Sequence, residues 1–103
     1  MSRLLLLLPE VAEELREAAR YYEDRSEGLG SDLERAFYAA LPPVTENPDR
    51  FRRLFGEFRR VLLKRFPYLI CYRAEENLVV VITLIHTARN PEELKKRLRE
   101  RWR

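Results

Sequence analysis

Residues 58–91, FRRVLLKRFPYLICYRAEENLVVVITLIHTARNP, decide the fold. Three strands follow one another here, and a polar segment, His86-Thr87-Ala88-Arg89-Asn90-Pro91, closes the stretch. The first strand, Phe58–Arg65, is apolar at Val61, Leu62 and Leu63 and carries Arg59, Arg60, Lys64 and Arg65 toward its ends. Pro67 falls between strands, where it removes no ladder hydrogen bond. In the second strand Tyr68, Ile70 and Tyr72 share one face and Leu69, Cys71 and Arg73 the other, because side chains alternate along a strand. Ala74-Glu75-Glu76-Asn77 is a short hairpin connection. It leads into Leu78–Ile85, β-branched and apolar on both faces, which predicts a strand central in the sheet.

Upstream, Arg3–Leu8 is apolar at odd and even positions alike, the pattern of a strand covered on both faces. Pro9 stops it and can open the helix that follows, where its missing N–H is not needed. Glu10, Glu13 and Glu14 crowd that helix's start, as the dipole favours. Val11, Leu15, Ala18 and Tyr22 then form one apolar stripe. The stripe ends at Asp24-Arg25-Ser26-Glu27-Gly28-Leu29-Gly30, a helix stop and turn. Ser31 or Asp32 caps a second helix with Leu33, Phe37, Ala40 and Leu41 as its buried side. Pro42-Pro43 predicts an end or kink near Leu41, since each proline removes a helical hydrogen bond. Glu46-Asn47-Pro48-Asp49 reads as a loop leading to a basic segment, Arg50–Arg53. Downstream, Pro91 opens a basic C-terminal helix over 91–103 on which Leu94, Leu98 and Trp102 stand four apart.

The order is β-α-α-β-β-β-α. It describes an α+β domain with an N-terminal strand, a helical hairpin, a three-stranded antiparallel meander and a C-terminal helix. With 103 residues, one domain spanning 1–103 is expected. The five-residue run Leu4–Leu8 is too short to cross a bilayer and lacks the features of a signal peptide. A single Cys71 and a single His86 can make neither an internal disulfide nor a zinc site, so a cytoplasmic protein without metal or other cofactor is expected. Charge is divided unevenly along the chain. Residues 1–49 hold five arginines against eleven acids, and residues 50–103 hold fifteen Lys and Arg against six acids. The basic half favours an anionic partner, nucleic acid or an acidic protein segment, the alternative being a merely solvated basic surface.

Several short motifs now fall in register. They are Pro9-Glu10-x-Ala12, Tyr21-Tyr22-Glu23, Gly28-Leu29-Gly30, Glu46-Asn47-Pro48, Arg59-Arg60, Phe66-Pro67-Tyr68, Tyr72-Arg73, and His86 with Arg89. In this order and spacing the chain resembles the RelE/ParE family of type II toxin-antitoxin toxins, its ParE-like branch in particular. Two departures stand out: Leu8 replaces the usual small polar residue before the first helix, and Pro42-Pro43 interrupts where members commonly run the second helix on. The resemblance implies a small cytoplasmic toxin of the plasmid-stabilisation kind, silenced by a cognate antitoxin, with no membrane or small-molecule partner.

The family's branches imply different targets. RelE-like members resemble messenger-RNA endonucleases working in the ribosome, a chemistry that needs a base, an acid and cations around the phosphorane. For it this chain offers His86, Tyr68, Tyr72 and the phosphate-holding candidates Arg59, Arg60, Arg65, Arg73 and Arg89, with Glu57 as nearest carboxylate. The nuclease pattern Tyr-Arg-Leu-Val-Tyr, however, is here Tyr68-Leu69-Ile70-Cys71-Tyr72, with Leu69 in the arginine's place. The C-terminal tyrosine has no counterpart either, since Trp102 exchanges no proton. The ParE-like reading is therefore preferred: a toxin that binds and inhibits DNA gyrase with no firm catalytic residue. The alternatives are the ribosome-dependent nuclease, with His86, Arg65, Arg59, Tyr68 and Arg89 as its residues, and a non-toxic binding module. An acidic, amphipathic antitoxin tail would be met by Arg59, Arg73 and Arg89 beside an apolar groove. Leu94, Leu98 and Trp102 are expected to fold back over the sheet and fill that groove in the free toxin.

Overall fold

The structure is a computed structural model and describes residues 2–102. Of the expected domain, Met1 and Arg103 lie outside the described residues. Nine helices and strands follow one another in this span: β1 (Leu4–Leu7), α1 (Pro9–Glu23), α2 (Leu29–Ala39), α3 (Leu41–Glu46), β2 (Arg53–Phe55), β3 (Phe58–Leu62), β4 (Tyr68–Ala74), β5 (Leu78–His86) and α4 (Pro91–Arg101). A single 3-10 turn, Pro48–Arg50, precedes β2. The strands form one sheet in the order β1-β5-β4-β3-β2. β1 runs parallel to β5, and the other neighbours are antiparallel.

The α+β order holds, with additions. The meander has four strands instead of three, because Arg53–Phe55, within and beyond what reads as a basic segment, pairs with Phe58 and Arg59. Its turn is Gly56-Glu57, with Gly56 at φ +53, a conformation that suits glycine. β3 stops at Leu62 and not at Arg65, which adopts a left-handed φ of 72 in the turn to β4. The proline pair ends α2 and starts α3, seated in its first turn where no N–H is missed. α2 begins at Leu29, before Ser31 and Asp32; Gly28 at φ 87 precedes it, and Asp32 instead pairs with Arg35 inside the first turn. α4 ends at Arg101, leaving Trp102 as its extended C-cap.

Faces of the sheet follow the alternation. Ile70, Tyr72, Val79 and Val81 lie with Val11, Leu15, Leu33 and Phe37 in the core beneath α1 and α2. Cys71, Val80, Ile82 and Ile85 lie with Leu98 beneath α4. α1 and α2 approach so closely that a Cβ on Gly30 would stand 2.5 Å from the Ala19 carbonyl oxygen. The Glu23 carboxylate accepts from the Gly28 and Gly30 N–H groups, at 2.9 Å each, and ties the hairpin at that point. Gly30 is thus a helix contact and not part of the turn. The first strand departs from expectation: it is the sheet edge, and Leu4 is 74% exposed. β5 covers one side of its ladder, and its alternate side chains find no second layer. Among the described residues no helix is long and apolar enough to cross a membrane.

Candidate functional site

β1 ends where Pro9 begins the first helix, and the Leu8 N–H makes the last backbone bond to β5, 3.1 Å to the Val81 oxygen. Proline has no N–H to offer, so the ladder cannot continue, and the far half of β5 needs other partners. Glu14 supplies them. Its carboxylate accepts from the Leu84 N–H at 3.1 Å and from the Thr83 hydroxyl at 3.0 Å. Arg97 and Arg101 reach the same carboxylate from α4, at 3.2 and 2.9 Å. Arg101 also donates to the Ile82 oxygen at 3.0 Å, next to the irregularity in the β4–β5 register. One carboxylate therefore fastens α1, β5 and α4 together. Glu14 gives no such sign in the sequence, where it passes for another acid of the first turn.

Beside this node a cleft of about 290 Å³ opens between α1, the β4–β5 end and α4. Tyr68 and His86 face it as direct cross-strand partners, their rings edge to face at 5.1 Å. The Ala88 N–H donates to His86 Nδ1 at 2.9 Å, which makes Nδ1 an acceptor and leaves Nε2 as the nitrogen free for other work. Burial, with Tyr22 and Tyr21 nearby, raises the Tyr68 hydroxyl pKa and makes it a poorer proton donor. Arg89 lines the cleft too, held by Glu93 at 2.7 Å. Glu14 and Glu17 face these groups from α1.

Other sequence candidates lie elsewhere. Arg59 turns away beneath the 3-10 turn, donating to the Phe51 oxygen at 2.7 Å with Asp49 at 3.8 Å. Arg65 reaches back to Asp32 on α2 at 3.7 Å. Neither lines the cleft. Tyr72 is fully buried and donates to the Pro48 oxygen at 2.5 Å, and burial pushes its hydroxyl pKa up to about 12. Cys71 is buried as well, its thiol pKa pushed up to about 12 by burial. Arg73 stacks on Trp102 and Phe58, 4.6 and 5.5 Å from their ring centres. Its Nε is buried without a hydrogen bond, Glu75 standing at 3.7 Å, an ion-pair distance only. Leu94, Leu98 and Trp102 do fold back over the sheet and join its second core.

A second hollow, of about 320 Å³, lies between Ala36, Ala40 and Pro43 on the helices and Val61 and Leu62 on β3. Here β3 outruns the three-residue β2, so its edge past Arg60 is unpaired, and Leu62 is 55% exposed. The small residues at 36, 39, 40 and 43 have helical spacing and signal this hollow in the sequence.

Comparison with known proteins adds the following. A family model described as "ParE toxin of type II toxin-antitoxin system, parDE" matches residues 5–91. The chain is 28% identical over 92 residues to a protein called Toxin ParE2 from Mycobacterium tuberculosis strain CDC 1551 / Oshkosh, covering 88% of each chain. The protein of that name from strain ATCC 25618 / H37Rv matches to the same extent, 28% over 92 residues. A solved structure described as a chromosomal ParDE TA system from P. aeruginosa superposes with a TM-score of 0.72 at 13% identity, covering 82% of this chain and 96% of that one. At that identity the superposition speaks for the fold.

Proposed function

Because the chain belongs to the ParE toxin family of type II toxin-antitoxin systems, we propose that it binds DNA gyrase in the cytoplasm and blocks it without bond-making chemistry, until a cognate antitoxin silences it. Gyrase as the target comes from the resemblance. What supports a non-catalytic mode is the scattering of the cations. Cutting RNA needs several charges around one phosphorane, yet Arg59, Arg65 and Arg73 point to three different places. Of the cleft's two arginines, Arg97 is held by Glu14 and Arg89 by Glu93. The deciding experiment is expression in bacteria without antitoxin, followed by pulse labelling with thymidine and methionine. Thymidine incorporation should fail first, and the purified protein should stop gyrase from supercoiling relaxed plasmid.

One observation favours the nuclease as second reading: His86, Tyr68 and Arg89 do share a cleft. Methionine incorporation failing first, with toxicity lost in His86→Ala, would establish it. No growth defect at all would mean a non-toxic binding module.

For the antitoxin, α4 is the element in the way. Its Leu94, Leu98 and Trp102 cover Phe58, Val80 and Ile82, a surface an amphipathic tail with acidic residues would fit, with Arg73 and Arg89 at its margins. Deletion of residues 91–103 should tighten antitoxin binding; unchanged or weaker binding would count against this arrangement.

A further inference from the structure

α4 has two basic flanks, and the chain treats them differently. On the β5 side Arg97 and Arg101 converge on Glu14, a partner only 17% exposed at its side chain, so those charges are neutralised inside the molecule. On the β2 side Lys95 and Arg99 lie over the Phe55 ring, 5.7 and 5.4 Å from its centre. Phe55 packs against Phe58 at 5.2 Å and Phe58 against Trp102 at 6.5 Å, and Arg73 covers the latter two rings. Arg60, cross-strand partner of Cys71, faces the same way. The carboxylates nearest this group are Glu92, 3.6 Å from Lys95 and 80% exposed, and Glu75, 3.7 Å from Arg73 and 51% exposed. Neither is at hydrogen-bond distance, and no ion pair holds Arg60 or Arg99 among the described residues.

Arg73 and Lys95 thus have only loose, exposed counter-ions and Arg60 and Arg99 have none among the described residues, so the four like charges are under-neutralised, and a bound polyanion relieves their repulsion. We propose that this flank, built from Arg60, Arg73, Lys95 and Arg99 on the Phe55-Phe58-Trp102 ring cluster, binds the phosphate backbone of duplex DNA. Lys95 and Arg99 stand one helical turn apart, about 6 Å, and so can engage one backbone together. A protein partner would need a desolvated apolar anchor at the centre of its contact. Here the aromatic faces are taken by cations, and the apolar row of α4 is turned into the sheet. A phosphate backbone asks only for the charges, and with no side chain aimed at base edges the binding is independent of sequence. The inference holds whether or not gyrase is the toxin's target.

The test uses the full chain and a short fluorescent DNA duplex, with binding followed by anisotropy across a salt series. Each phosphate neutralised contributes about −0.9 to the slope of log K against log salt, so four cations on four phosphates give an expected slope of about −3.6. Lys95→Glu with Arg99→Glu should weaken binding by more than about tenfold and flatten the slope by about two. Lys95→Gln with Arg99→Gln should act in the same direction, and it guards against misfolding of the charge reversal. Arg16→Glu, on the far face of α1, should change neither quantity. Unchanged binding in the folded α4 variants would overturn the proposal, and so would polyglutamate displacing the duplex at equal charge concentration.

Discussion

Among the described residues fourteen buried apolar side chains close the sheet beneath α1 and α2, with Phe37, Leu33 and Val11 fully enclosed. Beneath α4 it is closed by six, of which Leu98 alone belongs to the helix. The rest of α4's attachment is the half-buried Leu94 and Trp102 and a set of polar ties: Arg97 and Arg101 on Glu14, and Arg101 on the Ile82 oxygen. Apolar burial is non-directional and hard to undo piecemeal, whereas an ionic node can be released by removing one group. The hairpin is thus held chiefly by apolar burial, and α4 is expected to behave as a cover that opens before it.

The comparison can be broken at several strengths. Phe37→Ala should cost about 3–5 kcal/mol in urea unfolding, as truncation of an enclosed aromatic does. If Leu98→Ala proved equally costly, the two faces would not differ as described. Glu14→Ala should cost about 2–3 kcal/mol, since it takes a shared carboxylate away from two arginines and the Thr83 hydroxyl and leaves the Leu84 N–H without its acceptor. Its sharper signature lies in hydrogen exchange: amides of residues 94–101 should exchange faster while those of 13–22 keep their protection. Equal loss in both helices would refute a cover that opens first. Gly30→Ala tests the hairpin, where the new methyl meets the Ala19 oxygen; a loss of about 1–3 kcal/mol is expected from such overpacking.

Alkaline pH probes the sheet between the two layers. The Cys71 thiol ionises near 9.0 when exposed and only near about 12 in the fold. Between those values the unfolded chain holds fewer protons than the folded one, so stability is full below pH 9 and falls as pH rises toward 12. One thiol contributes a slope of at most about 1.4 kcal/mol per pH unit. Buried Tyr72, with its own pKa raised to about 12, adds to the decline from pH 10 upward. Cys71→Ala should remove the part that begins at pH 9, and an unchanged profile would mean that the thiol is not enclosed. Smallest of all, Arg99→Gln should alter stability by no more than about 0.5 kcal/mol, because it removes an exposed charge and one cation–ring contact with Phe55.

Local patterns carried the hairpin, the alternation of β4, the central place of β5 and the apolar row of α4, because each is written in one short segment. Distance along the chain hid the rest. Arg53–Phe55 is too short to show a period, and it becomes a strand only because Phe58 and Arg59 return beside it. The leucines of β1 predict burial on both faces, but no second layer reaches the sheet's edge. Glu14 and Leu84 are seventy residues apart, and their bond depends on where Pro9 halts the first strand. Among the candidate site residues, His86 and Tyr68 meet through strand register, while Arg59 is tucked under the 3-10 turn onto the Phe51 oxygen and Arg65 reaches out to Asp32 on α2.

Among the described residues β1 has one ladder partner, β5, with Leu4 opposite Leu78 through Leu7 opposite Val81. During synthesis, therefore, the leucine run leaves the ribosome well before β5 and has no ladder partner until that strand has followed. The sheet closes as a late event, and Glu14 waits still longer, for the arginines of α4. A chain that stops short of β5 therefore has neither a paired first strand nor a fastened α4.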